Sequence, residues 1–283
     1  MEEISTEGFC RSYLRKTEGG STLGWINGRS VLAIGSIIVK WQLLTEDVMS
    51  RTQSVKTIVG GRRLAAILRK IFVQRGSSLA RMYYHKSLAQ SSKWIDRMLD
   101  IDTVSLPVKT IDHPTKFGDS HSNIPYSYLK LWSYSNWLKP SSDDVVYDIG
   151  CGAGRILCFF ARQPVRKCVG IEVSTDYAQR ARQNAKQLRG RKAPIEIRIC
   201  DATEADYSEG TIYCLFNPFG TKTLQAVLER IHKSVRKYPR RIQIAYFNSA
   251  FETVLESCSW LSCYRRSKSI MAKGWGTTTL WTN

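Results

Sequence analysis

Several absences narrow what this sequence can be. Its eight cysteines include no Cys-x-x-Cys pair, so neither a zinc ribbon nor a dithiol redox motif is spelled out. Its four histidines stand at no metal-ligand spacing from cysteine or carboxylate, and no metal is expected. No apolar run approaches the roughly 20 residues that a membrane-spanning helix needs. The most apolar N-terminal run, Val31 to Val39, is bracketed by Arg29 and Lys40. The acidic start, MEEISTEGFC, does not suit a secretory or transit peptide. A cytoplasmic location with reduced thiols is therefore expected, the cysteines within apolar runs acting as small hydrophobes. Acidic residues are also missing over a long stretch. None lies between Asp47 and Asp96, where Arg51, Lys56, Arg62, Arg63, Arg69, Lys70, Arg75, Arg81, Lys86 and Lys93 all occur.

What is present is basic. Lys+Arg 42 against Asp+Glu 24 gives a net charge of +18. A second basic cluster is RIHKSVRKYPRR, Arg230 to Arg241. Such surfaces attract polyanions, and nucleic acid or an anionic membrane surface are the candidate partners of the basic helices. A solvated face is the plainer reading of the same charge.

The chain divides by composition. Residues 1–28 are rich in Gly, Ser and Thr and read as a flexible start. Residues 29–119 read as a basic helical extension and linker: Leu64, Ile67, Leu68, Ile71 and Phe72 recur at helical spacing with cations between them. A further helix is expected near Ser91 or Ser92, then a Pro/Gly/Asp-broken loop. From 120 to 283 short β-rich runs alternate with helical runs, which predicts an α/β domain with a mostly parallel sheet. Two final strands without a helix between them, WLSCYRRSKS and TTTLWTN, predict an antiparallel edge.

VVYDIGCGAGR, Val145 to Arg155, locates a ligand site. A strand ends in a bend with Gly150, Gly152 and Gly154. Glycine lets a backbone turn tightly and approach a ligand closely. The dinucleotide-binding spacing is G-x-G-x-x-G; here the third glycine comes one residue early. Asp148 precedes the bend, where a carboxylate suits an ammonium better than a pyrophosphate. S-adenosyl-L-methionine (SAM) offers an ammonium and a sulfonium. The next strand ends in GIEVS, placing Glu172 for ribose hydroxyls, and the one after in ICDAT, placing Asp201 at the adenine site.

From Asp143 to Asn217 these motifs resemble a class I SAM-dependent methyltransferase. The resemblance implies a Rossmann-like, doubly wound, seven-stranded sheet of order 3-2-1-4-5-7-6. It implies SAM bound by Asp148, Gly150, Cys151, Gly152, Gly154, Glu172, Asp201, Ala202 and Asn217, with the Ala202 backbone against the adenine ring. Over about residues 60–283 the chain is also similar to bacterial methyltransferases of uncharacterised substrate, whose fourth motif reads Asn-Pro-Phe.

The fourth motif here is Asn217-Pro218-Phe219-Gly220. Methyltransferases of planar amines carry Asn/Asp-Pro-Pro-aromatic, where a side-chain oxygen and a backbone carbonyl accept both hydrogens of the NH2. The missing second proline leaves Asn217 open between substrate contact and pocket shaping. Tyr126, in a segment that folds over the cofactor in this family, and His121, a residue type suited to general base work, are the other catalytic candidates. His113, in the same loop, ranks behind His121; Tyr134 reads as core, and Cys151 as a small residue in the bend. The expected reaction is transfer of the sulfonium methyl to a protein or small-molecule acceptor; RNA or DNA methylation, and non-catalytic SAM binding, are the rivals.

Overall fold

The structure, a computed structural model, describes residues 92–104, 115–121, 125–267 and 277–283. The basic helices expected upstream of residue 92, together with His85 and His113, lie outside the described residues.

Helical residues 92–99 (α1) precede the alternating part of the chain. Then come α2 (Tyr128–Leu138), β1 (Val145–Ile149), α3 (Arg155–Phe160), β2 (Lys167–Glu172), α4 (Thr175–Gln187), β3 (Ile195–Ile199) and β4 (Ile212–Leu215). They are followed by α5 (Thr221–Lys237), β5 (Gln243–Phe247), α6 (Glu252–Glu256), β6 (Ser262–Arg266) and β7 (Thr278–Thr282).

The strands form one sheet of order β3-β2-β1-β4-β5-β7-β6. The first five pair in parallel, while β7 enters antiparallel between β5 and β6. All five residues of β1 are buried, as expected of a parallel strand covered on both faces. Successive side chains serve opposite faces. Val146 packs with Leu131, Leu157 and Ala178 on one side; Val145, Tyr147 and Ile149 pack with Leu224, Val227 and Leu228 on the other.

Local sequence explains the helices. Ser174 caps α4, its hydroxyl accepting from the Tyr177 N–H. In α5, Leu224, Val227, Leu228 and Ile231 are the buried stripe, at the i, i+3, i+4, i+7 spacing of an amphipathic helix. α3 is shorter than its apolar run suggests, because Pro164 disfavours helical geometry in the residue before it. Leu99 and Ile101, well upstream of residue 120, belong to the same core as α2 and α3.

Strand order reverses around β1, which lies between β2 and β4. Open α/β sheets hold ligands beyond the carboxyl ends of the strands at such a reversal.

Candidate active site

A cleft opens at that point. Asp148, Gly150, Cys151, Glu172, Asp201, Ala202 and Asn217 line it, as do Tyr126 and His121. Of the predicted cofactor residues, Gly152 and Gly154 do not line it. Their roles lie in the bend. Gly150, Gly152 and Gly154 have φ of 76°, 52° and 82°, a region that L side chains adopt only at a cost. Gly152 donates its N–H to Glu172. Gly154 faces α4: a Cβ there would stand 3.2 Å from the Ala181 Cβ. At Gly150 a Cβ would stand 2.5 Å from that of Pro218, so the first and fourth motifs are packed on each other.

Glu172 organises the bend. One oxygen accepts from the Gly152 N–H at 2.7 Å, the other from Val173 and Ser174 at 3.0 and 2.9 Å. Burial raises its pKa, against the pull of these three donors. Asp148 is different. It is 2% exposed, and its Oδ2 has no hydrogen-bond partner. Burial, then the charge of Glu172, pushes its pKa well up. Cys151 is likewise pushed up by burial first, so its thiol is no nucleophile and it serves as a small residue in the bend.

Asp201 accepts from the Lys116 N–H at 2.8 Å and from the N–H and hydroxyl of Thr203, both at 2.7 Å. Burial raises its pKa, but these bonds outweigh it and hold the carboxyl below the usual range. The Ala202 carbonyl accepts from the Tyr207 hydroxyl at 2.7 Å.

The strap 115–121, one end of which holds Asp201, was not legible in the sequence. Ser120 forms an antiparallel bridge with Phe219. The Gly220 N–H donates to the Asp119 carbonyl at 2.8 Å. The Asp119 carboxylate accepts from the N–H and the hydroxyl of Thr223, capping α5 from about a hundred residues upstream. Gly220 makes room for this, since a Cβ would stand 2.7 Å from the Asp119 Oδ2. His121 donates its N–H to the Pro218 carbonyl at 2.9 Å. Its Nδ1 lies 2.9 Å from the Asn217 carbonyl oxygen.

Asn217, with φ of 46°, is held on its other side as well: its Oδ1 accepts from the Tyr246 hydroxyl at 3.2 Å. The side-chain oxygen and the carbonyl oxygen of Asn217 thus each hold one partner within the protein, Tyr246 and His121.

Residues 146–238 match the family of the methyltransferase domain. The chain is 36% identical over 81 residues to a protein-lysine N-methyltransferase of Saccharolobus islandicus, covering 28% of this chain and 48% of that protein. It is 24% identical over 167 residues to the H3 lysine-79 specific histone-lysine N-methyltransferase of Dictyostelium discoideum, covering 54% of this chain and 9% of that protein. It thus spans about half the length of the first curated relative and a tenth of the second. Among solved structures, an RNA methyltransferase of Salinibacter ruber bound to S-adenosyl-L-homocysteine matches with 23% identity and a TM-score of 0.43, covering 56% of this chain and 93% of that one. Residues 146–238 thus carry a methyltransferase domain, and the sheet order around them is that of the class I SAM-dependent type. The residues of its cleft fit that cofactor: the unpartnered Asp148 carboxylate suits the ammonium of SAM, and Glu172 retains acceptor capacity for the ribose.

Arg155, directly after the glycine bend, ties the cleft to the upstream chain. It is 5% exposed and pairs with Asp96 at 2.9 Å. It also donates to the Thr103 hydroxyl and the Tyr126 carbonyl, at 2.6 and 3.2 Å. Asp96 in turn accepts from the Tyr128 hydroxyl at 2.6 Å. Tyr126 is buried, its ring centroid 4.5 Å from that of Phe216 and 4.9 Å from that of Phe247. Tyr134 is core, as expected.

The basic run Arg230 to Arg241 is partly consumed within the fold. Arg230 donates to the carbonyls of Glu204 and Ala205. Arg240 donates to those of Tyr207, Gly210 and Tyr238. Lys233, Arg236, Lys237 and Arg241 remain exposed. α5 begins at the cleft with Thr221–Thr223 and runs away from it, so its basic end stands about 24 Å off at 1.5 Å per residue. Among the described residues no helix is long and apolar enough to cross a membrane, and no group of His, Cys, Asp and Glu is arranged to hold a metal ion.

Proposed function

We propose that this protein transfers the methyl group of SAM to the side-chain amine of a protein lysine. The observation that carries the reading is the charge of the cleft. In a protein of net charge +18, the cleft is lined, among the described residues, by Asp148, Glu172 and Asp201 and by no lysine or arginine. That lining repels phosphate and attracts cations, both the sulfonium donor and a lysine ammonium. The fourth motif agrees. Its oxygens are engaged by His121 and Tyr246, which disfavours the planar amines of adenine or glutamine and leaves a tetrahedral amine approaching from the rim. The two curated relatives, both lysine methyltransferases by name, support the same acceptor.

Asp148 and Glu172 hold the donor, while Tyr126 and Phe216 wall the approach and exclude water. The protein's part in the reaction is alignment, which accounts for much of the rate gain in such transfers. Labelled SAM incubated with lysate tests this. Label on protein that survives nuclease and is lost on protease digestion is expected; label recovered in nucleic acid refutes the acceptor.

RNA methylation is the second reading, favoured by the acid-free basic stretch between Asp47 and Asp96. It requires salt-sensitive binding of RNA, since cation–phosphate contacts release counterions.

A further inference from the structure

The reading above leaves a chemical step without an agent. A lysine amine is protonated near neutral pH, with an unperturbed pKa of about 10.4, and its nitrogen has no lone pair to give until a proton leaves. We propose that His121 is the general base that takes that proton, through Nε2.

The strap fixes the tautomer. The Nδ1 of His121 lies 2.9 Å from the Asn217 carbonyl oxygen. A carbonyl only accepts, so Nδ1 carries the hydrogen. The lone pair of the neutral ring is then on Nε2. The backbone of the same residue is pinned by its N–H bond to the Pro218 carbonyl, and Ser120 beside it is paired with Phe219. The ring lines the cleft yet is exposed at its rim, where a lysine side chain enters and from which a proton can pass on to water. One face of the ring is 6.1 Å from the Phe251 ring, centroid to centroid.

The carboxylates of the cleft do not serve. Asp148 and Glu172 are buried, Glu172 and Asp201 are engaged by backbone donors, and the Asp119 carboxylate turns to Thr223. Asp148, Glu172, Asp201 and Asp119 are the acids on the strap, the bend and the strand ends; Lys116 is the cation of the strap, and its charge acts on Asp201.

The step balances. The ammonium N–H bond breaks with its proton going to Nε2. The freed nitrogen pair forms the N–CH3 bond as the CH3–S bond breaks, its electron pair staying on sulfur, and the imidazolium then loses its proton to water.

His121→Asn separates this role from a structural one, because its amide N–H can still donate to the Asn217 carbonyl while no base remains. The full chain and this variant are assayed with labelled SAM on nuclease-treated lysate protein from pH 6 to 9, with SAM affinity measured by calorimetry. SAM affinity is expected to hold within twofold. Labelling at pH 7 is expected to fall by about 100-fold, the lower end of general base contributions, and the deficit to shrink steadily toward pH 9 as free amine accumulates. Added imidazole should restore part of the rate. An equal deficit at every pH, or none at pH 7, overturns the base. Failure of the unaltered protein to label protein while binding SAM overturns instead the lysine reading on which this rests.

Discussion

Asp148→Asn makes two opposite effects visible at once. In the ligand-free protein this carboxylate is buried, its Oδ2 is unpartnered and its neighbour Glu172 is acidic. Its pKa is raised on folding. Such a group is fully accommodated below its unfolded pKa and destabilises the fold progressively as pH rises toward the folded value. Removing the charge relieves a penalty on the order of 1–3 kcal/mol for a buried unsatisfied group. At about 2–4 °C per kcal/mol for a domain of this size, the variant should melt roughly 2–12 °C higher than the parent at pH 7 without added SAM, and the gap should close as pH falls through the acid range. If Asp148 holds the SAM ammonium as assigned, the same change removes a charged partner, for which about 1.5–3 kcal/mol is typical, or roughly 10- to 150-fold in affinity. Because SAM binding needs the carboxylate ionised, the affinity of the parent should rise with pH while Asp148 titrates, and that of the variant should not. Thermal melts with and without SAM, with calorimetry across pH, read all three. A variant that melts lower without ligand, or that binds SAM as the parent does, refutes the assignment of Asp148.

Three further outcomes follow from packing. Gly150→Ala places a Cβ 2.5 Å from that of Pro218 at φ 76°; overpacking and backbone strain together should cost about 2–5 kcal/mol. Adding Pro218→Gly should recover part of this and Pro218→Ala none, as measured by denaturant unfolding. Asp96→Ala leaves the Arg155 guanidinium buried and unpaired, a loss of roughly 3–5 kcal/mol that melts should show as a drop of about 10 °C. Thr223→Ala removes a partner of the Asp119 cap, with an expected loss of about 1 kcal/mol in unfolding free energy.

The sheet was legible because parallel strands buried on both faces read as apolar runs and each ended at a motif. The order 3-2-1-4-5-7-6 came from the resemblance, and the paired late strands from the absence of a helix between them. Position in the motifs singled out Glu172 and Asp148 alike; only burial and bonding distinguish Glu172, which accepts from Gly152, Val173 and Ser174, from Asp148, whose Oδ2 accepts from no protein group. The strap was missed because its signal is not local: Asp119 caps a helix that begins about a hundred residues later. Composition weighs every arginine alike, whereas Arg155, Arg230 and Arg240 are spent on Asp96 and on loop carbonyls inside the fold.

Gly220 shows how a departure from a family pattern can be read physically. In Asn217-Pro218-Phe219-Gly220 the place of a second proline and an aromatic is taken by residues that suit a different neighbour. Gly220 needs no side chain because the Asp119 carboxylate occupies that space, and its N–H, which proline would lack, donates to the Asp119 carbonyl. The strap so anchored delivers His121 to the Asn217 carbonyl that a planar amine would otherwise occupy. The loss of one motif and the gain of a histidine at the rim are therefore one structural change. Gly220→Pro loosens the strap at both ends, at His121 and at the Lys116 N–H that holds Asp201, so methyl transfer should fall further than SAM binding, which keeps Asp148 and Glu172 but loses part of the support of Asp201. Equal losses in both, read by calorimetry and label transfer, would show that the strap serves the cofactor instead.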